Sequence, residues 1–419
     1  HGVPLKVVMT DFAGAIVEYW RTHPSLQPMV ADGLLDFAYF DAERPEALTL
    51  LHSGESLAHG LVKNPIILLG NYFFDSIPQD CFTVRHGELY ENLVTLLGPG
   101  ELGPGDDPSV LEQIEIQYLS RRMGPERYDD PHLNEVLRAY QERVPSATFL
   151  LPAAGLRCLR FFEEMSGGRL MLLTADKAYH REEELAGRGP PVLDLHGSFS
   201  VMVNYHAMAE YVRSRGGQAR FKKHKASILN VAAFLFGAPG SGYTETMLAF
   251  TEAIEESDPA DFFALKHGIE PHYADLTLDQ IVALLRLSGW DSNILLGCYA
   301  VLLDRVQSAS EAGCRALREA IDATWENYLP IGEEHDVASC AGTLLASMRR
   351  YREAIAYFER SVQMYGPKPT TVFNMGMCYY ELRQLPAALE HVKWALALDP
   401  HYEGAEALRS RLLGELAHH

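Results

Sequence analysis

Three polar residues stand at or just after the ends of short apolar runs in the first third of the chain. Asp11 follows the run LKVVM, Asp41 follows LDFAYF, and Asn71 follows PIILL and a glycine. In open α/β sheets, ligands bind outside the carboxyl ends of the strands, so these side chains are predicted to converge on one crevice. A carboxylate there can accept hydrogen bonds from ribose hydroxyls. The pattern therefore indicates a site for a nucleoside-containing cofactor.

The segment from Asn71 to Pro78 reads NYFFDSIP. It resembles the NEFFDALP-type segment of the MidA-like S-adenosylmethionine-dependent methyltransferases. Further along, FSVMVNY at 199–205 is similar to the DITAHVDF segment of that family. The resemblance covers about residues 3–237. It implies a Rossmann-like, class I methyltransferase fold, S-adenosylmethionine as the cofactor, and a protein acceptor such as an arginine side chain.

The resemblance gives the strand-end residues their expected roles. Asp11 lies where the ribose acceptor of such a sheet belongs, and Asp41 is expected to face the adenine amino group. Phe12 and Ala42 are placed with them as cofactor-binding residues, and Asn71 is expected on the acceptor-facing side of the cofactor. Both acids also have a purely structural interpretation: Asp11 as a helix N-cap and Asp41 as a turn residue.

Asp75 and Tyr72 are the predicted catalytic residues. Methyl transfer is a direct displacement at a sulfonium carbon, so catalysis is mostly alignment of the donor and the acceptor. An arginine acceptor needs a carboxylate that holds and polarises its guanidinium, and Asp75 is the candidate. Tyr72 stands where the family has glutamate, which leaves the role of that carboxylate to another group such as Asp75.

Two features favour a different class of protein. One is Tyr72, and the other is that the family's glycine-rich first strand and loop have no counterpart here, since the sequence opens on what resembles strand two. The missing strand is expected to precede His1, to come from a second chain, or to be lost along with cofactor binding. In the last case the chain is a non-catalytic interaction scaffold. A nucleotide-cofactor oxidoreductase is a third hypothesis, but it also needs a glycine fingerprint.

The elements that must position these residues alternate between strands and helices, as in a parallel sheet covered by helices. A hairpin is predicted around His86-Gly87, a loop over Gly98–Pro108, mainly helix over 109–166, and a helix from Pro152 through Phe162. Two further strands, RLMLL ending near Asp176 and FSVMV from residue 199, precede a helix over 206–213. From about residue 226 the strand signals fade and helical spacing of apolar residues dominates.

The C-terminal part repeats with a period of 34 residues. At that shift small residues coincide with small ones and bulky ones with bulky ones: Gly342 with Gly376, Ala354 with Ala388, Tyr351 with Leu385, and Phe358 with Val392. This pattern over 335–400 resembles tetratricopeptide repeats, which are helical hairpins that stack. A final helix over 403–416 is predicted to cap the stack, and helices over 276–330 to extend it. The repeats are expected to present a surface to a protein partner, or alternatively only to pack on the neighbouring domain.

Composition excludes several other classes. The 56 acidic and 36 basic residues give a formal charge of −20, which disfavours binding to nucleic acids and to anionic membranes. Six cysteines without CxxC spacing, and histidines without ligand spacing, predict neither a metal site nor a disulfide framework. No signal peptide and no membrane span are predicted. These features together predict a cytoplasmic protein.

The sequence thus predicts a methyltransferase-like α/β domain over 1–225, a helical connector over 226–330, and tetratricopeptide hairpins with a capping helix over 331–419. The leading hypothesis is an S-adenosylmethionine-dependent protein methyltransferase whose repeats dock the substrate or a partner. The alternative is a scaffold built on a degenerate methyltransferase-like fold.

Overall fold

The computed structural model describes residues 5–98, 100, 113–195, 199–222, 229–237, 243–256, 259–330 and 335–417. The chain divides into two compact units, His1–Asp261 and Phe262–His419. The first unit is rich in β-sheet and the second is helical, as the sequence predicts at this level. Most of the predicted loop over Gly98–Pro108 lies outside the described residues.

The strands and helices of the first unit are numbered along the chain. The strands are β1 (Val7–Asp11), β2 (Leu35–Tyr39), β3 (Leu48–Thr49), β4 (Ser56–Leu57), β5 (Ile66–Asn71), β6 (Asp80–Arg85), β7 (Glu88–Leu97), β8 (Glu115–Met123), β9 (Ser146–Leu151), β10 (Leu170–Tyr179), β11 (Asp194–Leu195), β12 (Phe199–Ser200), β13 (Val203–Asn204), β14 (Gln218–Phe221) and β15 (Leu229–Leu235). The α-helices are α1 (Gly14–Thr22), α2 (Gln27–Ala31), α3 (Pro131–Arg143), α4 (Ala153–Met165), α5 (Tyr205–Ser214) and α6 (Thr244–Phe250).

Two parallel strand pairs carry the predicted strand ends. β1 pairs with β2 from Val7 opposite Leu35 to Asp11 opposite Tyr39. β5 pairs with the first part of β10, ending with Asn71 opposite Ala175. On its other edge β10 pairs antiparallel with β15, and β14 lies beyond β15, while β13 pairs with the end of β10. The predicted strands at β1, β2, β5 and β10 are therefore present.

A second sheet is antiparallel, in the order β8-β7-β6-β9. The predicted hairpin between β6 and β7 is confirmed, and its turn residues His86 and Gly87 both have positive φ, 52° and 76°, as a two-residue hairpin turn requires. The prediction that 109–166 is mainly helical is wrong at β8 and β9. In β8 the apolar residues Ile116, Leu119 and Met123 have helical spacing, but pairing with β7 over nine positions decides the conformation.

The sheet also continues past the domain boundary predicted at residue 225. β15 pairs with β10 over seven positions, and it belongs to the compact unit that ends at Asp261. Its sequence, LNVAAFL, is a continuous apolar run, and such a run has no periodicity that separates a buried strand from a helix. The predicted fading of strand signals at residue 226 is therefore wrong.

One large core joins the two sheets of the first unit. Side chains from β6, β9, α3, α4 and α5 meet in it, among them Phe82, Phe149, Tyr140, Leu156 and Tyr211. The rings of Tyr140 and Phe149 pack edge to face with centroids 4.7 Å apart. Because α4 follows β9 directly, with Pro152 as its N-cap residue, the helix is fixed against the same core.

The second unit is helical in its described residues. In chain order its α-helices are α7 (Pro259–Ile269, which begins in the first unit), α8 (Leu278–Leu287), α9 (Ser292–Gly297), α10 (Tyr299–Arg305), α11 (Glu311–Asn327), α12 (Val337–Ser347), α13 (Tyr351–Tyr365), α14 (Pro369–Glu381), α15 (Leu385–Leu398) and α16 (Glu403–Leu416). One core runs from Tyr273 through α8–α13 to Cys378, so α8–α11 pack with the first hairpin; that they extend the repeat stack stays a prediction.

The 34-residue repeat is visible in the backbone as well as in the side chains. A left-handed arginine stands two residues after the end of α12 and of α14: Arg349 (φ 60°) and Arg383 (φ 62°), which are 34 positions apart. In each case the next residue donates its N–H to a carbonyl five residues back, at 2.9 Å, which is the Schellman arrangement. Both hairpins therefore turn in the same way, and the predicted hairpins and final helix are confirmed.

Candidate functional site

The turn that follows β5 carries the predicted catalytic residues. Asn71 ends the strand, and the Tyr72 N–H donates to Ala175 O of β10 at 2.9 Å. Tyr72 has a φ of 50°, which is uncommon for a residue with a Cβ. Its side chain and that of Asn71 are exposed, whereas Asp75 is only 5% exposed. The structure thus places both predicted catalytic residues on one turn but in different environments.

Phe74 fixes this turn to the core. Its ring is fully buried and lies over Gly155 of α4, where an added Cβ would come within 2.6 Å of the ring. Its neighbour Phe73 packs edge to face against it at 5.0 Å. A glycine at position 155 is therefore required by the close approach of the ring, and the position of Asp75 depends on that contact.

A buried carboxylate, Asp176, lies in β10 near this turn. Tyr205 Oη and Thr174 Oγ1 both donate to its Oδ2, at 2.8 and 2.9 Å. Its Oδ1 makes no hydrogen bond of normal geometry to the residues that the structure describes. Burial raises the pKa of Asp176 against the lowering effect of these two hydrogen bonds, and the nearby Asp75 carboxylate raises it further. The two acids thus form one electrostatic cluster.

The sequence interpretation placed Asp176 at the end of a strand and did not find its partners. In the structure β10 continues to Tyr179, so Asp176 lies inside the strand. A signal was available: Leu170, Leu172, Thr174 and Asp176 alternate at period two and are all buried. Two polar residues that continue an inward-facing apolar series are costly to bury, and acids whose pKa is shifted by burial and a nearby charge are found more often at functional sites.

Asp176→Asn is expected to stabilise the first unit by about 0.5–2 kcal/mol at pH 7, because it removes a buried charge while keeping an acceptor for Tyr205. The raised pKa means that the native state binds this proton more readily than the unfolded state does. The free energy of unfolding of the wild type therefore rises, through this group, as the pH falls towards 4. The difference in stability between Asp176→Asn and the wild type shrinks accordingly. A series of urea unfolding curves from pH 7 down to pH 4 checks this, with the exposed Asp32→Asn as control; lower stability of Asp176→Asn at pH 7 would contradict it.

The predicted cofactor-binding acids lie together at the end of the β1–β2 pair. The Phe40 N–H donates to Asp11 O at 3.0 Å, so Asp41 follows immediately beside Asp11. Asp11 Oδ1 accepts from the Ala13 N–H at 2.7 Å, and Asp41 Oδ1 accepts from the Glu43 N–H at 2.9 Å. Asp41 therefore has the turn role weighed above, whereas the N-cap role of Asp11 is wrong: Ala13 is the N-cap residue of α1, and Asp11 forms only a local turn with its N–H. Within the described residues, the second oxygen of each carboxylate accepts no hydrogen bond.

The two other residues predicted to bind the cofactor differ in exposure. Phe12 is 81% exposed, so its ring is open to stacking, whereas Ala42 is buried and can offer only its backbone. A cavity of about 210 Å³ lies elsewhere in this unit, lined by residues such as Tyr179, Arg188 and Met202, and none of the predicted site residues lines it. Among the described residues no group of three or more His, Cys, Asp or Glu could hold a metal ion.

Comparison with known proteins gives little further information. No protein-family model matches the chain, and no curated protein matches it. Among solved structures, the chain is similar to YrrB, described as a TPR protein with an unusual peptide-binding site, with 19% identity and a TM-score of 0.28 over 40% of this chain and 84% of that one. A likeness at this level carries no argument about function. No helix in the described ranges is long and apolar enough to cross a membrane.

Proposed function

We propose that the first unit is an S-adenosylmethionine-dependent methyltransferase acting on a protein, with an arginine side chain as the best-suited acceptor. The proposal rests on two pairs of parallel strands, β2-β1 and β5-β10. Polar residues of the sequence motifs stand at or just after the ends of these strands. A doubly wound sheet has the order 3-2-1-4-5. In that order the two pairs would occupy positions 3-2 and 4-5, with position 1 between them.

The residues present suit the adenosine half of the cofactor. Among the described residues, Asp11 and Asp41 each keep a carboxylate oxygen without a partner for a ribose hydroxyl and for the adenine amino group, and the exposed ring of Phe12 can stack on a base. The methionine half would need the backbone of the glycine-rich loop after strand 1, which the described residues do not provide. When bound, the cofactor supplies an electrophilic methyl group on a sulfonium sulfur.

The acceptor side is assigned to the turn after β5. Asn71 and Tyr72 are exposed there and would orient the acceptor, and Asp75 would hold its guanidinium by charge-assisted hydrogen bonds. The Val201 N–H, after β12, donates to the backbone carbonyl oxygen of Asp75 at 3.1 Å, and the Ser76 hydroxyl donates to the Asp75 carboxylate at 2.9 Å. Because Asp75 is only 5% exposed, holding the acceptor would require its carboxylate to become accessible, and the nearby Asp176 would keep the local charge negative.

The helical unit would dock the substrate or a partner protein. Its two hairpins and final helix form a regular stack, and α8–α11 pack with the first hairpin, which would give a longer surface than two hairpins alone. Stacked hairpins of this kind are extended binding surfaces in other repeat proteins. The net negative charge of the chain disfavours a nucleic-acid partner for this surface.

Calorimetry on the full-length gene product tests the cofactor. We expect S-adenosylmethionine and its demethylated product to bind, and Asp11→Asn to weaken binding about 10- to 100-fold through loss of charge-assisted hydrogen bonds to the ribose. Asparagine can keep the local turn hydrogen bond from the Ala13 N–H, so the fold is preserved. The exposed Asp32→Asn is the control and should bind normally. Absence of binding by the wild-type protein would reject the enzyme and favour the non-catalytic scaffold.

A further inference from the structure

The β7–β8 ribbon extends beyond the sheet that holds it. β7 pairs with β8 from Leu89 opposite Met123 to Leu97 opposite Glu115. β6, the third strand, covers only the first four residues of β7. The far half of the ribbon, Leu93–Leu97 with Glu115–Leu119, is therefore two-stranded within the described part of the molecule.

The far half of the ribbon is unusually apolar for a surface element. Leu93, Val94, Leu96, Leu97 and Leu119 are all exposed, Leu119 to 66% and Leu96 to 59%. Paired residues share a face, so Leu93 and Leu119 lie on one face and Leu96 with Ile116 on the other. A two-stranded ribbon is marginally stable alone, and an exposed apolar edge strand is a template for pairing with another chain. The ribbon thus has the properties of an interface.

β8 is the edge strand of its sheet, pairing only with β7 among the described strands. We propose that a second copy of this chain pairs with it, β8 against β8 in antiparallel orientation, so that two four-stranded sheets become one. Antiparallel pairing of a strand with its own copy is the simplest closed interface, because a two-fold axis makes the same surface serve both partners.

Symmetry and charge together select the register. A two-fold axis perpendicular to the sheet keeps each face of β8 on the same side, so residues that face each other must differ by an even number of positions. Of the two arginines in β8, only Arg121 is an even number of positions from Glu115, so Glu115 can face only Arg121 of the second copy. In that register the two-fold axis passes through Tyr118. That register forms two Glu115–Arg121 pairs, one on each side of the axis, and cross-strand pairs of opposite charge stabilise a sheet.

The present contacts leave these two side chains ready for such a pair. Glu115 is exposed and makes no ion pair with any described residue. Arg121 binds Glu91 at 2.5 Å, but Arg127 also binds Glu91, at 3.0 Å, so Arg121 can turn to a second copy without leaving the buried Glu91 unneutralised. The other arginine of the strand, Arg122, lies on the opposite face and is paired with Glu88.

Analytical ultracentrifugation of the full chain over a concentration series tests the proposal. We expect a monomer–dimer equilibrium, and Glu115→Arg is expected to raise the dimer dissociation constant at least about tenfold, because two attractive pairs become repulsive. The exposed Glu43→Arg makes the same charge change in a turn and should leave the equilibrium unchanged. A wild-type chain that stays monomeric, or a dimer that Glu115→Arg leaves intact, would overturn the proposal.

Cysteine cross-linking tests the register independently of stability. Tyr118→Cys places two thiols opposite each other at the axis, so a short bismaleimide is expected to give a covalent dimer in high yield. Ser120→Cys alone should not do so, because position 120 faces position 116 of the second copy; a mixture of Ser120→Cys and Ile116→Cys chains should. Equal yields of covalent dimer from Tyr118→Cys and from Ser120→Cys, each above the yield from the wild-type cysteines, would reject this interface.

Discussion

Phe358→Ala is expected to lower the free energy of unfolding of the helical unit by about 3–5 kcal/mol. Phe358 lies in α13, is fully buried, and belongs to the core shared by α8–α14. Its ring rests directly on Gly342 of α12, where an added Cβ would come within 2.7 Å of the ring. Truncation therefore leaves a cavity between α12 and α13. The two helices cannot close it, because their backbones are already packed closely.

Hydrogen exchange on the full chain is the suitable measurement, since the two units need not unfold together. Amides of α12–α14 should lose protection in Phe358→Ala, while those of the sheet unit keep theirs. Leu413→Ala, at a helical leucine that is 51% exposed, is the matched control and should change stability by no more than about 0.5 kcal/mol. Equal losses in the two variants would show that the Phe358–Gly342 contact is not the anchor of the hairpin.

Phe74→Ala should have a similar effect on the first unit, a loss of about 3–5 kcal/mol. The ring fills the space over Gly155 and joins the main core. Because Phe74 precedes Asp75 in the chain, its loss also frees the turn that carries the proposed acceptor-binding carboxylate. We expect faster hydrogen exchange over 70–76 as well as a lower unfolding midpoint in urea.

Phe12→Ala is the stability control for that experiment, because the same substitution is made at a phenylalanine that is 81% exposed. It should leave the unfolding midpoint within about 0.5 kcal/mol of the wild type. If Phe74→Ala unfolds like the wild type, the turn after β5 is held by its hydrogen bonds to β10 alone, and Asp75 is positioned by the strand and not by the core.

Sequence patterns predicted the elements whose local signals agree with their packing. The 34-residue spacing identified both hairpins, because the close contacts at Gly342 and Gly376 need small residues at fixed positions. The strand ends at Asp11, Asp41 and Asn71 were identified because apolar runs stop there. In both cases short-range sequence and final environment point to the same structure.

Patterns failed where distant pairing decides the conformation. In β8 the apolar residues have helical spacing, but pairing with β7 makes the segment a strand. In β15 the apolar residues are continuous, so their spacing does not distinguish a strand from a helix. Tyr205 was not found as a partner of Asp176 because it is 29 residues away and reaches the carboxylate only through the fold. Whether the strand-end acids bind a cofactor remains a prediction for the calorimetry.

The pairing of β5 with β10 has a consequence for the time course of folding. These strands are joined across 104 residues, from Ile66 opposite Leu170 to Asn71 opposite Ala175, whereas the helical hairpins join neighbours in the chain. Contacts between distant residues form slowly, because the entropy cost of closing a long loop comes before the stabilising contacts form. We therefore expect the C-terminal helices to refold first after dilution from denaturant. The apolar strands of the N-terminal unit remain unpaired for longer and are prone to aggregate during that time.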